Sequence, residues 1–175
     1  LSTGAGVCVA QGIGARNLER MHRAVHTAIP VGIIGGALLT VVGIVLAPVL
    51  LRFMGTPENV VGLSSVYLRI YFAGGIPMLM FHFGAAILRG AGDTKSPLLY
   101  LSFAGVLNVL LNLFFVVVLK RSADGVAWAT TISQTVACML VLRKLSRRED
   151  GCRLELKKLK ISGSMLCKIV WIGLP

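Results

Sequence analysis

The sequence predicts an all-α fold, a polytopic helical membrane protein of antiparallel transmembrane helices, and three observations predict it. The 175 residues are 55% hydrophobic and only 14% charged, with a mean hydropathy of +0.81; a soluble domain carries roughly 25% charged residues. The charges are clustered. Thr27–Leu51, Ile70–Leu88, Ser96–Leu119 and Gly125–Leu142 contain no Asp, Glu, Lys or Arg over 25, 19, 24 and 18 residues. A helix of about 20 apolar residues crosses a hydrocarbon core of about 30 Å, so four such stretches make four spans.

In chain order, Leu1–Ala15 is charge-free and reads as the end of one helix, followed by a basic loop at Arg16–Arg23. A first full span covers about Ala24–Leu51, with a short loop at Arg52–Gly62. A second covers about Leu63–Leu88 and ends in the turn Arg89–Lys95. A third covers about Ser96–Leu119, followed by Lys120–Asp124, and a fourth about Gly125–Leu142. A basic segment, Arg143–Lys160, comes next, and Trp171–Pro175 reads as the opening of a further helix. The expected organisation is a partial transmembrane bundle over 1–142, a cytoplasmic basic linker over 143–168 and the start of a helix over 169–175. The chain reads as a piece of a longer membrane protein.

Alternate loops lie on opposite sides of the bilayer. Arg16–Arg23, Arg89–Lys95 and Arg143–Lys160 together hold thirteen Lys and Arg, against three at Arg52, Lys120 and Arg121. The positive-inside rule places the thirteen in the cytoplasm. Arg69 is expected near the outer end of its span, where its stem can snorkel to the interface. The net charge of +11 does not point to nucleic acid. The densest basic run directly follows an apolar span and has no interleaved aromatic residue on which a base could stack. Its expected partner is the lipid bilayer, through anionic headgroups. Cys8, Cys138, Cys152 and Cys167 form no CxxC and no Cys/His cluster, so they read as free thiols and no firm metal site is expected.

The turn R-G-A-G-D-T-K-S-P, Arg89 to Pro97, has the flavour of a phosphate loop but fails as one. Thr94, not Gly, precedes Lys95, and a membrane span, not a strand, leads into it. It reads as a tight cytoplasmic turn. Gly90 and Gly92 permit a positive φ, Asp93 or Thr94 can cap the next helix, and Pro97 suits its first turn.

All seven acidic residues lie in loops. At membrane depth His82 is the group that ionises near neutral pH. It is a possible proton-sensitive residue, or a neutral ring donating to a neighbouring helix. Gly74-Gly75 and Pro77 predict a kink in the second span, a candidate gating element or a packing feature. In the third span Ser102, Gly105, Asn108 and Asn112 recur at spacings of three, three and four, on one helical face. Thr130, Thr131, Ser133 and Gln134 form a second polar cluster in the fourth span. These groups serve either as interhelical hydrogen bonds or as oxygen ligands lining a cavity for a cation or substrate.

The run I-L-R-G-A-G-D-T-K-S-P-L from Ile87 to Leu98 resembles the multidrug and toxic compound extrusion (MATE) family. Further stretches agree in the same order: G-V-C-V-A-Q-G-I-G-A from Gly6 to Ala15, G-I-P at Gly75–Pro77, N-V-L-L-N at Asn108–Asn112, G-V-A-W-A-T-T-I-S-Q from Gly125 to Gln134, and I-G-L-P at Ile172–Pro175. The resemblance implies a twelve-helix transporter of two six-helix lobes. This chain would carry the end of helix 2, helices 3 to 6 and the first residues of helix 7, with helix 1 and the C-lobe of the same polypeptide outside it.

The resemblance further implies a multi-pass protein of the bacterial cell membrane. It would export small organic cations or amphipathic drugs in exchange for Na⁺ or H⁺, by alternating access and without a cofactor. The family's N-lobe cation site uses an Asp on helix 1, an Asn and an Asp one turn apart on helix 5, and a Thr on helix 6. Asn108, Asn112 and Thr130 match the last three, so an amide stands where the family has its second carboxylate. An amide offers oxygen to Na⁺ but cannot titrate. A lipid-linked oligosaccharide flippase of the same superfamily and a non-transporting membrane subunit are the alternatives. An enzyme is not expected, for the sequence offers no nucleophile–base pair or cofactor motif.

Overall fold

The computed structural model describes residues 1–148, 152–154 and 162–173. Among the described residues the chain is helical, with no strand. The helices are α1 (Ser2–Gly14), α2 (Leu18–Phe53), α3 (Glu58–Ala73), α4 (Gly75–Gly90), α5 (Lys95–Leu113), α6 (Ala123–Ser146) and α7 (Gly163–Gly173). Three of them, α2, α5 with its extension to Val118, and α6, are long and apolar enough to cross a bilayer. The pair α3 and α4 makes a fourth, bent by 43° at its break.

Each expected span is present, and the boundaries differ for physical reasons. α2 runs 36 residues and absorbs most of the loop expected at Arg16–Arg23. Asn17 caps it, its side chain accepting a hydrogen bond from the Arg20 N–H at 2.9 Å, and Glu19 pairs with Arg23 one turn on. Pro30 and Pro48 lie inside α2 without ending it. α6 continues past Leu142 to Ser146, so Arg143 and Lys144 occupy its last turn, where cations favour the negative end of the helix dipole. The helix visible in the sequence from Trp171 begins at Gly163. Of the basic linker, residues 149–151 and 155–161 lie outside the described residues. Its described part docks on the bundle: Cys152 and Leu154 are buried, and the Ser162 N–H donates to Thr27 Oγ1 at 3.3 Å.

The second span departs most from expectation. It is not one helix kinked at Pro77 but two helices that meet at Gly74. Pro77 is the third residue of α4, in the first turn, where a missing N–H costs little. Two threonines complete the break. Thr40 of α2 donates its hydroxyl to the Phe72 carbonyl at 2.8 Å, and Thr131 of α6 donates to the Ile70 carbonyl at 3.3 Å. Backbone at membrane depth must find partners inside the protein; the Ile70 carbonyl also accepts from the Gly74 N–H at 3.3 Å, so Thr131 adds a second donor there. Arg69 also lies further along its helix than expected. α3 starts at Glu58 rather than Leu63, which places the exposed Arg69 about 16 Å along the helix at 1.5 Å per residue.

α4 is the hub, packed against α1, α2 and α6. Its Phe81, Phe83, Ile87 and Leu88 are buried with Val9, Val25, Ile29, Val141 and Leu145. α5 is peripheral: it packs mainly on α6 and leaves Leu98, Leu99, Phe103 and Val106 exposed, an apolar exterior suited to lipid. At the turn between α4 and α5 the two glycines do different work. Gly92 takes the left-handed conformation, with φ at 82°. Gly90 does not; it ends α4 and touches the α1 backbone, a β-carbon there lying 2.3 Å from the Gly6 carbonyl oxygen.

Asp93, not Thr94, caps α5. Its carboxylate accepts from the Ser96 N–H at 3.0 Å and from the Ser96 hydroxyl at 2.7 Å. Burial pushes this carboxyl up, but the Ser96 hydrogen bonds and the charges of Lys144 and Arg148 outweigh it and hold its pKa below the usual carboxylate range. Asp93→Ala is expected to cost about 1 kcal/mol, the usual value of a cap. Because the folded pKa is depressed, this contribution is complete above the unfolded pKa of about 3.9 and is lost as pH falls through the folded value. Melting temperatures of both proteins should differ at neutral pH and converge on strong acidification.

Candidate cation site between α5 and α6

Asn108 and Asn112 lie one turn apart on α5 and face α6. Asn108 is thirteen residues beyond Lys95, about 20 Å along the helix at 1.5 Å per residue. Its Nδ2 donates to Thr130 Oγ1 at 3.3 Å and to Ser133 Oγ at 3.2 Å. Asn112 Nδ2 donates to Asn108 Oδ1 at 2.9 Å. Thr130 and Ser133 pass their own hydroxyl protons to the Val126 and Thr130 carbonyls at 3.0 and 2.9 Å. The result is a directed chain of donors that starts at Asn112 and ends on the α6 backbone.

The acceptor end of Asn112 is left over. Its Oδ1 is buried with no hydrogen-bond partner among the described residues, and so is Gln134 Oε1. A buried acceptor without a donor costs about 1–3 kcal/mol. A hard cation seeks neutral and anionic oxygens of this kind, so its binding would offset that cost.

The predicted residues do not all converge. Asn108, Asn112 and Thr130 come together, with Ser133 as a fourth member. Gln134 instead faces the α3–α4 break, where it lines a cavity of about 20 Å³ with Tyr71, Gly74, Met78, Thr130 and Thr131. Thr130 lies on both. Ser102 and Gly105, on the same predicted α5 face, are exposed, so only the outer half of that polar stripe is paired. His82 sits one turn below Met78 on α4. It is exposed and edge-on to Phe81, with ring centroids 5.7 Å apart. The expected hydrogen bond from His82 to a neighbouring helix is not made among the described residues. Gly90, Gly92 and Asp93 belong to the turn between α4 and α5.

Sequence reasoning did not single out Thr40. The available signal was its isolation, as the sole hydroxyl residue between Ala28 and Leu51. It also missed the π-helical turn Phe114–Val118 that follows α5. Such turns recur at functional sites, and this one begins two residues after Asn112.

Comparison with known proteins agrees with the fold. The family model MatE matches residues 1–114. The chain is 30% identical, over its whole length, to the probable multidrug resistance protein YoeA of Bacillus subtilis (strain 168), of which it covers 39%. It matches an inward-facing multidrug resistance MATE transporter of the MOP superfamily with a TM-score of 0.91 and 28% identity, over 99% of this chain and 41% of that one. An outward-facing structure of such a transporter matches with a TM-score of 0.91 and 27% identity, over 99% and 39%. The chain thus spans about two fifths of the length of these relatives. On the family match and the full-length likeness together, the chain belongs to the multidrug and toxic compound extrusion family.

Proposed function

We propose that the chain forms most of the first lobe of a secondary antiporter that exports amphipathic organic cations, and that the α5–α6 amides take the coupling ion. The carrying observation is the buried, unpartnered Asn112 Oδ1 beside Asn108 and Thr130 at mid-membrane. A neutral oxygen cluster favours Na⁺ over H⁺ at this site, because amides and hydroxyls do not titrate in the physiological range. The names of its relatives support multidrug export. Equal likeness to inward- and outward-facing structures supports movement of this half as one body.

The test uses the full open reading frame that contains this chain, in everted membrane vesicles. Uptake of a fluorescent organic cation is followed under a Na⁺ gradient or a pH gradient, each imposed alone. Uptake driven by Na⁺ that falls roughly tenfold in Asn112→Ala, equal to about 1.4 kcal/mol, is the expected result. Uptake driven only by the pH gradient, and equal in wild type and variant, would return these amides to a packing role.

A further inference from the structure

Away from the α5–α6 amides, the cytoplasmic ends of α5 and α6 and the turn before α5 enclose a second cavity of about 620 Å³. Its lining carries Leu140, Arg143, Lys144, Arg147 and Arg148 from the end of α6 and just beyond it, Tyr100 from α5, and Asp93 from the turn. We propose that this cavity binds the phosphate headgroup of an anionic phospholipid from the cytoplasmic leaflet.

Four observations carry this. Arg143 and Lys144 close the last turn of α6 and Arg147 and Arg148 follow directly after its end, so four cations sit within six residues. Like charges gathered this closely repel and are relieved by an anion between them. For Arg143, Lys144 and Arg147 the described residues supply little of one. Among the described residues the ion pairs are Arg23–Glu19 and Arg121–Asp124, neither of which uses Arg143, Lys144 or Arg147. Asp93 brings a single carboxylate, and both its oxygens are engaged by Ser96.

The cavity is also half apolar. Tyr100 and Leu140 line it, and their neighbours in the chain Leu98, Leu99 and Met139 are 64%, 66% and 61% exposed. A free anion has no use for that surface, whereas a lipid's glycerol and acyl chains do. Finally, the site lies on the side that the loop charges place in the cytoplasm, where basic pockets between transmembrane helices hold anionic headgroups. Arg143, Lys144 and Arg147 supply the charge, Tyr100 sits at interface depth, and the bound phosphate ties the α4–α5 turn to the end of α6.

The experiment purifies the protein from the full open reading frame in detergent. It measures retention of added phosphatidylglycerol and phosphatidylcholine by native mass spectrometry, and the melting temperature with each. The variant Arg143→Gln/Lys144→Gln/Arg147→Gln is compared with Lys157→Gln/Lys158→Gln/Lys160→Gln, which removes equal charge from the linker. The single variant Arg147→Gln serves if the first triple variant does not fold. Phosphatidylglycerol should be retained and raise the melting temperature. Its affinity should drop about tenfold or more in the cavity variant, given the strength of a surface cation's pull on anionic lipid, and little in the linker variant. Equal losses in both triple variants would overturn the proposal in favour of unspecific charge attraction. So would equal stabilisation by inorganic phosphate or glycerol phosphate, which would make the ligand a soluble anion.

Discussion

Gly90→Val is expected to prevent accumulation of folded protein. A β-carbon at Gly90 would lie 2.3 Å from the Gly6 carbonyl oxygen and 3.0 Å from its carbonyl carbon. Both are backbone atoms, so no rotamer change can make room. α1 must leave α4, and that opens the core around Val9, Ile87 and Leu88, all fully buried. Overpacking of a rigid core costs about 1–3 kcal/mol or more, a large part of the 5–15 kcal/mol that holds a typical domain together. Gly43 is the contrast: a β-carbon there meets the ring of Phe72, a side chain that can turn. Size-exclusion profiles of detergent extracts, with melting temperatures, measure the difference. A Gly90→Val protein that melts within about 2 °C of wild type, less than 1 kcal/mol is worth at this size, would show that the two helices do not meet as described.

The second large effect is on transport. Asn108 makes three side-chain hydrogen bonds, donating to Thr130 and Ser133 and accepting from Asn112. Leucine keeps its bulk and removes all three. Interhelical hydrogen bonds in membranes average only about 0.6 kcal/mol, so Asn108→Leu should lower stability modestly. If the amides coordinate the coupling ion, gradient-driven uptake should fall by about two orders of magnitude, equal to about 2.7 kcal/mol, with the melting temperature nearly kept. If they only join α5 to α6, activity and stability should fall together and slightly. Measuring both on one preparation separates the two readings.

Much of this architecture is legible in the sequence because bilayer physics is coarse. Stretches free of charge mark spans, and basic loops mark the cytoplasmic side. The pairing of Asn108 with α6 is legible for a related reason. A 3–4 spacing of polar residues in an apolar helix has few uses, and Thr130 and Ser133 share one turn of the neighbouring span.

What is not legible depends on contacts between elements far apart in the chain. Pro77 announces a bend, but its place in the first turn of α4 is set by where Gly74 breaks the ladder. That in turn depends on hydroxyls at Thr40 and Thr131, which are 34 residues before and 57 after Gly74. The burial of Asn112 Oδ1 likewise follows from how α5 sits on α6. The docking of Ser162 on Thr27 joins segments 135 residues apart, and nothing local foretells it.

The broken span also has a consequence for how the chain is made. The hydroxyl that completes the Phe72 carbonyl comes from Thr40, already synthesised when α3 leaves the ribosome. The one that joins the Gly74 N–H on the Ile70 carbonyl comes from Thr131, which does not yet exist. Until α6 arrives, α3 is a short, weakly apolar segment with an arginine in it and a carbonyl that lacks its cross-helix donor. Its insertion is therefore provisional for the time it takes to translate about sixty residues, at roughly 5–20 residues per second. In that interval the nascent protein is most exposed to membrane proteases and to misthreading of α3.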